Sequence, residues 1–149
     1  MPGLYYEEFE VGQRIEHDKR RTISEADNQQ FCDMTMNQQP LHLDSEFAAE
    51  TQFGERIVNG LYTMSLAVGL TIADTTDGTI VANLSYDNVE HPTPVTHGDT
   101  IRAETEVLDK RETSDGNRGV VTMLVEAFNQ DDELVCSLER TALSLKRDA

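Results

Sequence analysis

The run LYTMSLAVGLTIA, residues 61–73, constrains this chain more than any other stretch. Read as a helix, it places Leu61, Met64, Leu66, Val68, Leu70 and Ile72 around the axis and leaves almost no polar face. A helix apolar all round is a buried one. The rest of the chain therefore has to cover it, and the residues C-terminal to the helix can do so. Residues 79–89 are rich in β-forming side chains and stop at Pro92 and Pro94. After a His97-Gly98-Asp99 turn, residues 100–111 set Ile101, Ala103, Thr105 and Val107 against Arg102, Glu104 and Glu106, the alternation of a half-exposed antiparallel strand. Residues 114–119 read as a polar hairpin connection, 120–128 as a strand, 130–133 as a turn and 134–145 as the last strand. The reading is an α+β domain: an antiparallel sheet of about five strands wrapped around one long buried helix.

The segments before the helix are smaller. Residues 4–12 mix Tyr5, Tyr6, Phe9 and Val11 with glutamates and read as an arm lying over the body. Residues 13–23 read as a first strand. Ser24 followed by Asp27 is a helix-start signal for a short helix ending near Met34. Pro40, which lacks an N–H and restricts Gln39, argues against regular helix over residues 35–43. Asp44 is a candidate cap for a further helix through Phe47, Ala48 and Thr51, broken at Phe53-Gly54. With 149 residues, 38% hydrophobic and 27% charged, and no repeat or linker, the chain reads as a single globular domain over 1–149.

Charge excludes several partners. The formal net charge is −16, with carboxylates spread along the chain and only Lys19, Lys110 and Lys146 as lysines. This argues against nucleic acid and against an anionic membrane surface. It suits a salt-rich cytosol, where screening relieves self-repulsion, so a halophilic source is expected. No apolar run approaches the roughly 18 residues of a membrane span, and the N-terminus shows no signal-peptide pattern. The cytoplasm is the expected location. Cys32 and Cys136 read as reduced, partly buried thiols. No metal-type spacing, G-x-S-x-G elbow or glycine-rich phosphate loop is present.

The candidate site is FCDMTMNQQPLHLDSEFAAETQFGERIVNG, residues 31–60. It carries His42 in a Pro-containing loop and ends with Asn59-Gly60 at the mouth of the apolar helix. An imidazole moves protons near neutral pH. Free N–H groups at a helix start can hold a developing oxyanion.

These residues carry a resemblance. YYEEFEVGQRIEHDKRRTISEAD, MTMNQQPLHLDSEFAAETQFGERIVNG and VANLSYDNVEHPTPVTHGDTIRAETEV resemble, in order, three blocks of the MaoC-type dehydratases, the family of the (R)-specific enoyl-CoA hydratases. The second block stands where that family has T-G-D-x-N-P-x-H and then I-V-H-G. The resemblance implies a hot-dog fold that forms a homodimer or higher homo-oligomer. It also implies an acyl-CoA thioester beside the central helix as substrate, no other cofactor, and syn hydration of a 2-enoyl-CoA. By position the family's catalytic histidine falls on His42 and its oxyanion-binding N–H on Gly60. Its catalytic aspartate falls on Asn37, its motif asparagine on Gln39, its motif glycine on Met36 and the histidine of I-V-H-G on Asn59. An amide cannot accept a proton, so Asn37 is read as holding a water or fixing the His42 tautomer. Gln39, Pro40 and Asn59 are the candidate substrate-binding positions; Gln39 equally fits a loop brace and Asn59 a helix cap. The MTMNQQPLH form is similar to a branch acting on branched C5 dicarboxylyl-CoAs such as mesaconyl-CoA or itaconyl-CoA.

Two other readings compete. A hot-dog thioesterase needs a carboxylate at the thioester, for which Asp33 and Asp44 are the local candidates. A non-catalytic acyl-CoA-binding subunit would explain the missing aspartate. His17, His91 and His97 are expected to be structural or solvated, and the helix residues Met64, Leu66, Val68 and Leu70 to be core.

Overall fold

The computed structural model describes residues 3–147. Strands β1 (Arg14–Glu16) and β2 (Arg21–Thr22) precede three helices, α1 (Glu25–Thr35), α2 (Pro40–Leu43) and α3 (Ser45–Ala49). The long helix α4 (Gly60–Thr75) follows, and then β3 (Ile80–Glu90), β4 (Thr100–Glu112), β5 (Arg118–Phe128) and β6 (Leu134–Leu145). The strands form one antiparallel sheet in the order β1-β4-β5-β6-β3, with β2 also paired to β4.

The alternation read in β4 sets its register. Ile101, Ala103, Thr105 and Val107 are buried, the first two against α4, while the charged residues between them are partly exposed. From α4, Ala67 and Leu70 pack on Ile101, Ala103, Val125, Ala127, Val135, Cys136 and Leu138. A second cluster joins Phe9, Val107, Val121, Met123 and Ala142, with Leu4, Tyr6 and Ile80 against it. This is where the N-terminal arm lies over the body. The arm is fastened by Leu4 N–H to the Thr75 carbonyl at 2.8 Å. Tyr6 takes the space a side chain would need at Gly119, where an added Cβ would overlap its ring.

Ser24 caps α1 through a reciprocal pair with Asp27, and the hydrogen-bonded Arg21 guanidinium holds the Asp27 carboxyl down at about 2. Asp44 caps α3 by accepting from the N–H groups of Glu46 and Phe47. Both helix starts were legible as caps.

Three expectations are corrected. The first strand is two short ones, Arg14–Glu16 and Arg21–Thr22, with residues 17–20 outside regular strand although His17 N–H still donates to the Ala103 carbonyl at 3.1 Å. The buried His17 ring bonds Asp74 Oδ2 at 2.7 Å and Thr105 Oγ1 at 2.8 Å, partners remote in sequence. Residues 35–43 are not wholly irregular: Pro40 opens the single turn α2 at its first position, where a missing N–H and a fixed φ suit a helix. Finally, α4 is not enclosed on every side. The sheet covers one face, and Leu61, Ser65 and Gly69 line the other, with Leu61 54% exposed. Strand β3 is open in the same way: it is an edge strand with Val81, Leu84, Tyr86 and Val89 exposed. Cys32 and Cys136 are both free and fully buried, and burial pushes the Cys136 thiol up to about 11. Among the described residues no helix is long and apolar enough to cross a membrane.

Candidate active site

The segment 57–59, which leads into α4, is held from several directions. Ile57 N–H donates to the Leu41 carbonyl at 3.3 Å. Val58 N–H donates to Val95 O, in the loop after β3, at 2.7 Å. Asn59 N–H donates to Asn28 Oδ1, on α1, at 3.0 Å. Asn59 itself is buried; its Oδ1 accepts the Leu61 N–H, and its amide nitrogen lies 3.6 Å from Cys32 Sγ. It caps α4.

His42 ends α2. Its Nδ1 is 2.8 Å from the Ile57 carbonyl oxygen. A carbonyl can only accept, so Nδ1 carries the hydrogen and the neutral ring keeps its lone pair on Nε2. Next to it a cavity of about 340 Å³ opens at the N-terminus of α4. His42, Gly60, Thr63 and His91 line it together with the apolar Phe53, Ile57, Val58, Pro92, Pro94, Val95 and Val135. Gly60 is the first helical residue, so its N–H has no acceptor within the helix. No other described residue accepts from it. The helix dipole adds positive potential at the same point. The arrangement thus puts a proton acceptor, Nε2 of His42, and an anion-stabilising donor, Gly60 N–H, on one largely apolar cavity.

Of the residues singled out from sequence, the structure brings His42 and Gly60 to the cavity wall. Asn37 follows Met36, the left-handed C-cap of α1 (φ 62°), and is half-buried, outside the set of lining residues. Gln39 and Pro40 are exposed at the start of α2. No Asp or Glu lines the cavity among the described residues. Asp44 serves as the cap of α3, and Asp33 accepts from Gln29 and Gln38 on the surface. No group of three or more potential metal ligands occurs among the described residues.

Two residues emerge from the structure alone. His91, expected to be structural or solvated, lines the cavity and packs on Gly60: a Cβ added there would lie 3.2 Å from its Cε1 and Nε2. Asn28, 1% exposed, donates from Nδ2 to the His42 carbonyl at 3.1 Å while its Oδ1 receives Asn59 N–H. One amide therefore ties the His42 turn to the cap of α4. The only sequence sign was an amide four residues before a buried cysteine, on the inner side of α1.

An antiparallel sheet packed on one long helix is the architecture of the hot-dog class. The chain belongs to the MaoC like domain family, whose profile matches residues 8–128. It is 32% identical over 146 residues to a mesaconyl-CoA hydratase of Cereibacter sphaeroides, covering 98% of this chain and 42% of that protein. It is 33% identical to the (R)-specific enoyl-CoA hydratase of Aeromonas caviae, covering 88% of this chain and 92% of that one. A MaoC domain protein from Chloroflexus aurantiacus, described as a putative dehydratase, superimposes with a TM-score of 0.93 at 30% identity over 99% of this chain and 42% of its own. A Mycobacterium tuberculosis protein described as having a double hot-dog fold superimposes with a TM-score of 0.83 at 24% identity, over 97% of this chain and 44% of its own. The hot-dog fold expected from the sequence is therefore present. The chain spans less than half the length of the mesaconyl-CoA hydratase relative.

Proposed function

We propose that this protein is a hydro-lyase that adds water to, or removes it from, the double bond of a 2-enoyl-CoA thioester. The observation that carries the reading is the His42 tautomer: Nδ1–H is bound by the Ile57 carbonyl, and Nε2 is left for the cavity that also holds Gly60 N–H. In the hydration direction, Nε2 takes a proton as the water oxygen bonds to C3. The π electrons move onto the thioester oxygen, where Gly60 N–H and the helix dipole stabilise the charge. A single such donor is typically worth about 3–4 kcal/mol. The imidazolium then returns the proton to C2 on the same face, which makes the addition syn. Asn37, five residues before His42, lies outside the set of lining residues and supplies no proton acceptor. Being an amide, it leaves both proton transfers to His42.

Within this class the acyl group we favour is a branched C5 dicarboxylyl unit, supported by the identity to a mesaconyl-CoA hydratase. The test is loss of enoyl-thioester absorbance in KCl, comparing crotonyl-, mesaconyl- and itaconyl-CoA. His42→Ala should lower turnover at least about 100-fold; activity within tenfold of the parent would sink the assignment. The absence of a carboxylate from the cavity wall favours a second reading, a binding subunit. Thermal stabilisation by an enoyl-CoA without turnover would support it.

The protein is read as a cytoplasmic homodimer. The exposed apolar edge β3 and the open face of α4 are surfaces for a second copy, which would supply what a double hot-dog chain carries in its other half. The −16 charge points to a halophilic setting. The unfolding midpoint should rise between 0.1 M and 2 M KCl, and a flat profile would remove that reading.

A further inference from the structure

A thioester oxygen that becomes an enolate oxygen needs more than one hydrogen bond when it sits in an apolar cavity. Gly60 N–H supplies one donor. Among the described residues, Thr63, Thr93 and His91 on the same cavity wall can donate, and His91 is the one whose ring packs on Gly60.

The geometry constrains its reach. A Cβ built on Gly60 would stand 3.2 Å from His91 Nε2. Covalent geometry puts the amide nitrogen of any residue about 2.5 Å from its own Cβ. Gly60 N and His91 Nε2 are therefore separated by at most about 5.7 Å. One oxygen at about 2.9 Å from each of two donors spans up to about 5.8 Å. A single oxygen can accept from both. A side chain at position 60 would fill the space between them.

His91 is also free to donate and is held in place. Its ring nitrogens take no hydrogen bond from any described residue, so a ligand can select the Nε2–H tautomer. This is the reverse of His42, whose Nδ1–H is committed to Ile57. The backbone at His91 is restricted by the following Pro92, and Pro94 stiffens the next step. Two residues beyond Thr93, Val95 O is clamped by Val58 N–H at 2.7 Å, one residue from the α4 cap. This hydrogen bond joins the loop after β3 to the lead-in of α4.

We infer that His91 is a catalytic residue that donates Nε2–H to the thioester oxygen and completes, with Gly60 N–H, a two-donor oxyanion site. The assignment rests on the hydratase reading above for its reaction, but not for its contact with the thioester. His91→Leu removes the donor at an exposed position, and His91→Gln retains an N–H. With crotonyl-CoA, His91→Leu should lower kcat about 100-fold with KM within about threefold, and His91→Gln should recover most of the loss. A His91→Leu kcat within about threefold of the parent would overturn the assignment, as would a glutamine variant as slow as the leucine one.

The infrared carbonyl band of bound crotonyl-CoA, labelled with ¹³C at the thioester carbon, gives a readout that needs no turnover. The band should shift to lower frequency in the parent and shift less in His91→Leu. Equal shifts in the two proteins would overturn the assignment whatever the turnover. If the parent shows no turnover but the shifts differ, the hydratase reading fails and His91 keeps its role. A parent that shows no bound carbonyl band at all overturns both.

Discussion

The two ends of α4 treat their polar groups differently. At the C-terminal end, His17 bridges Asp74 to Thr105, the arm donates Leu4 N–H to the Thr75 carbonyl, and Arg140 donates from Nη2 to Thr76 Oγ1 at 3.1 Å and from Nε to Asn83 Oδ1 at 2.7 Å. Thr71 and Thr75 return their hydroxyls to the carbonyls of Val68 and Thr71. At the N-terminal end, Thr63 lies on the cavity wall, and its buried hydroxyl finds no partner among the described residues. The Gly60 N–H is open as well, and two histidines stand beside it. The C-terminal end is closed mainly by the chain's own hydrogen bonds, although Arg140 Nη1, Thr79 Oγ1 and Ser144 Oγ are buried there without a partner among the described residues; at the N-terminal end the unpaired groups lie on a cavity. Unpaired buried groups lower stability; of those in the described residues, Thr63 Oγ1 is the one on the cavity wall, where a ligand can pair it.

Substitutions at the two ends should therefore have opposite signatures. The largest effect on stability is expected at Asn28, the amide under the open end. Asn28→Leu strands the His42 carbonyl and the Asn59 N–H together, which should remove about 2–4 kcal/mol of stability and lower kcat at least tenfold. Denaturant unfolding and kinetics measured on the same protein check this, and unchanged kcat in a folded variant would show that Asn28 does not position His42. At the closed end, His17→Ala should remove about 2–3 kcal/mol while leaving kcat of the remaining folded protein near the parent value. A selective loss of turnover there would erase the contrast between the ends. The smallest effect has the opposite sign. Thr63→Val replaces an unpaired buried hydroxyl by a methyl and should raise stability by about 1 kcal/mol, read as a higher Tm. A lower Tm would mean that the hydroxyl is already satisfied.

The same contrast separates what could be read early from what could not. The buried strands showed themselves through local pattern: β4 alternates with period two because one of its faces packs on α4. Ser24 and Asp44 announced their helices because capping is settled within three residues. His42 drew attention through the block that resembles the MaoC-type motif, and the structure places it on the cavity wall. The errors came where a distant partner decided the outcome. The first strand is interrupted over residues 17–20, next to a His17 ring held by the remote Asp74 and Thr105. Pro40 starts a turn of helix instead of preventing one, because the loop geometry gives it the first position. His91 and Gly60 lie 31 residues apart, and nothing in the spacing brings them together.

The sequence by itself determined the apolar helix, the antiparallel strands that cover it, and the glycine that leaves a free N–H at its start. These features come from periodicity, capping and backbone chemistry, all of which act over a few residues. The tertiary structure alone decided which face of α4 stays open, which tautomer His42 adopts, and which second imidazole shares the cavity. Each of those depends on a hydrogen bond or a packing contact between segments far apart in the chain, and only the folded sheet sets the distance between them.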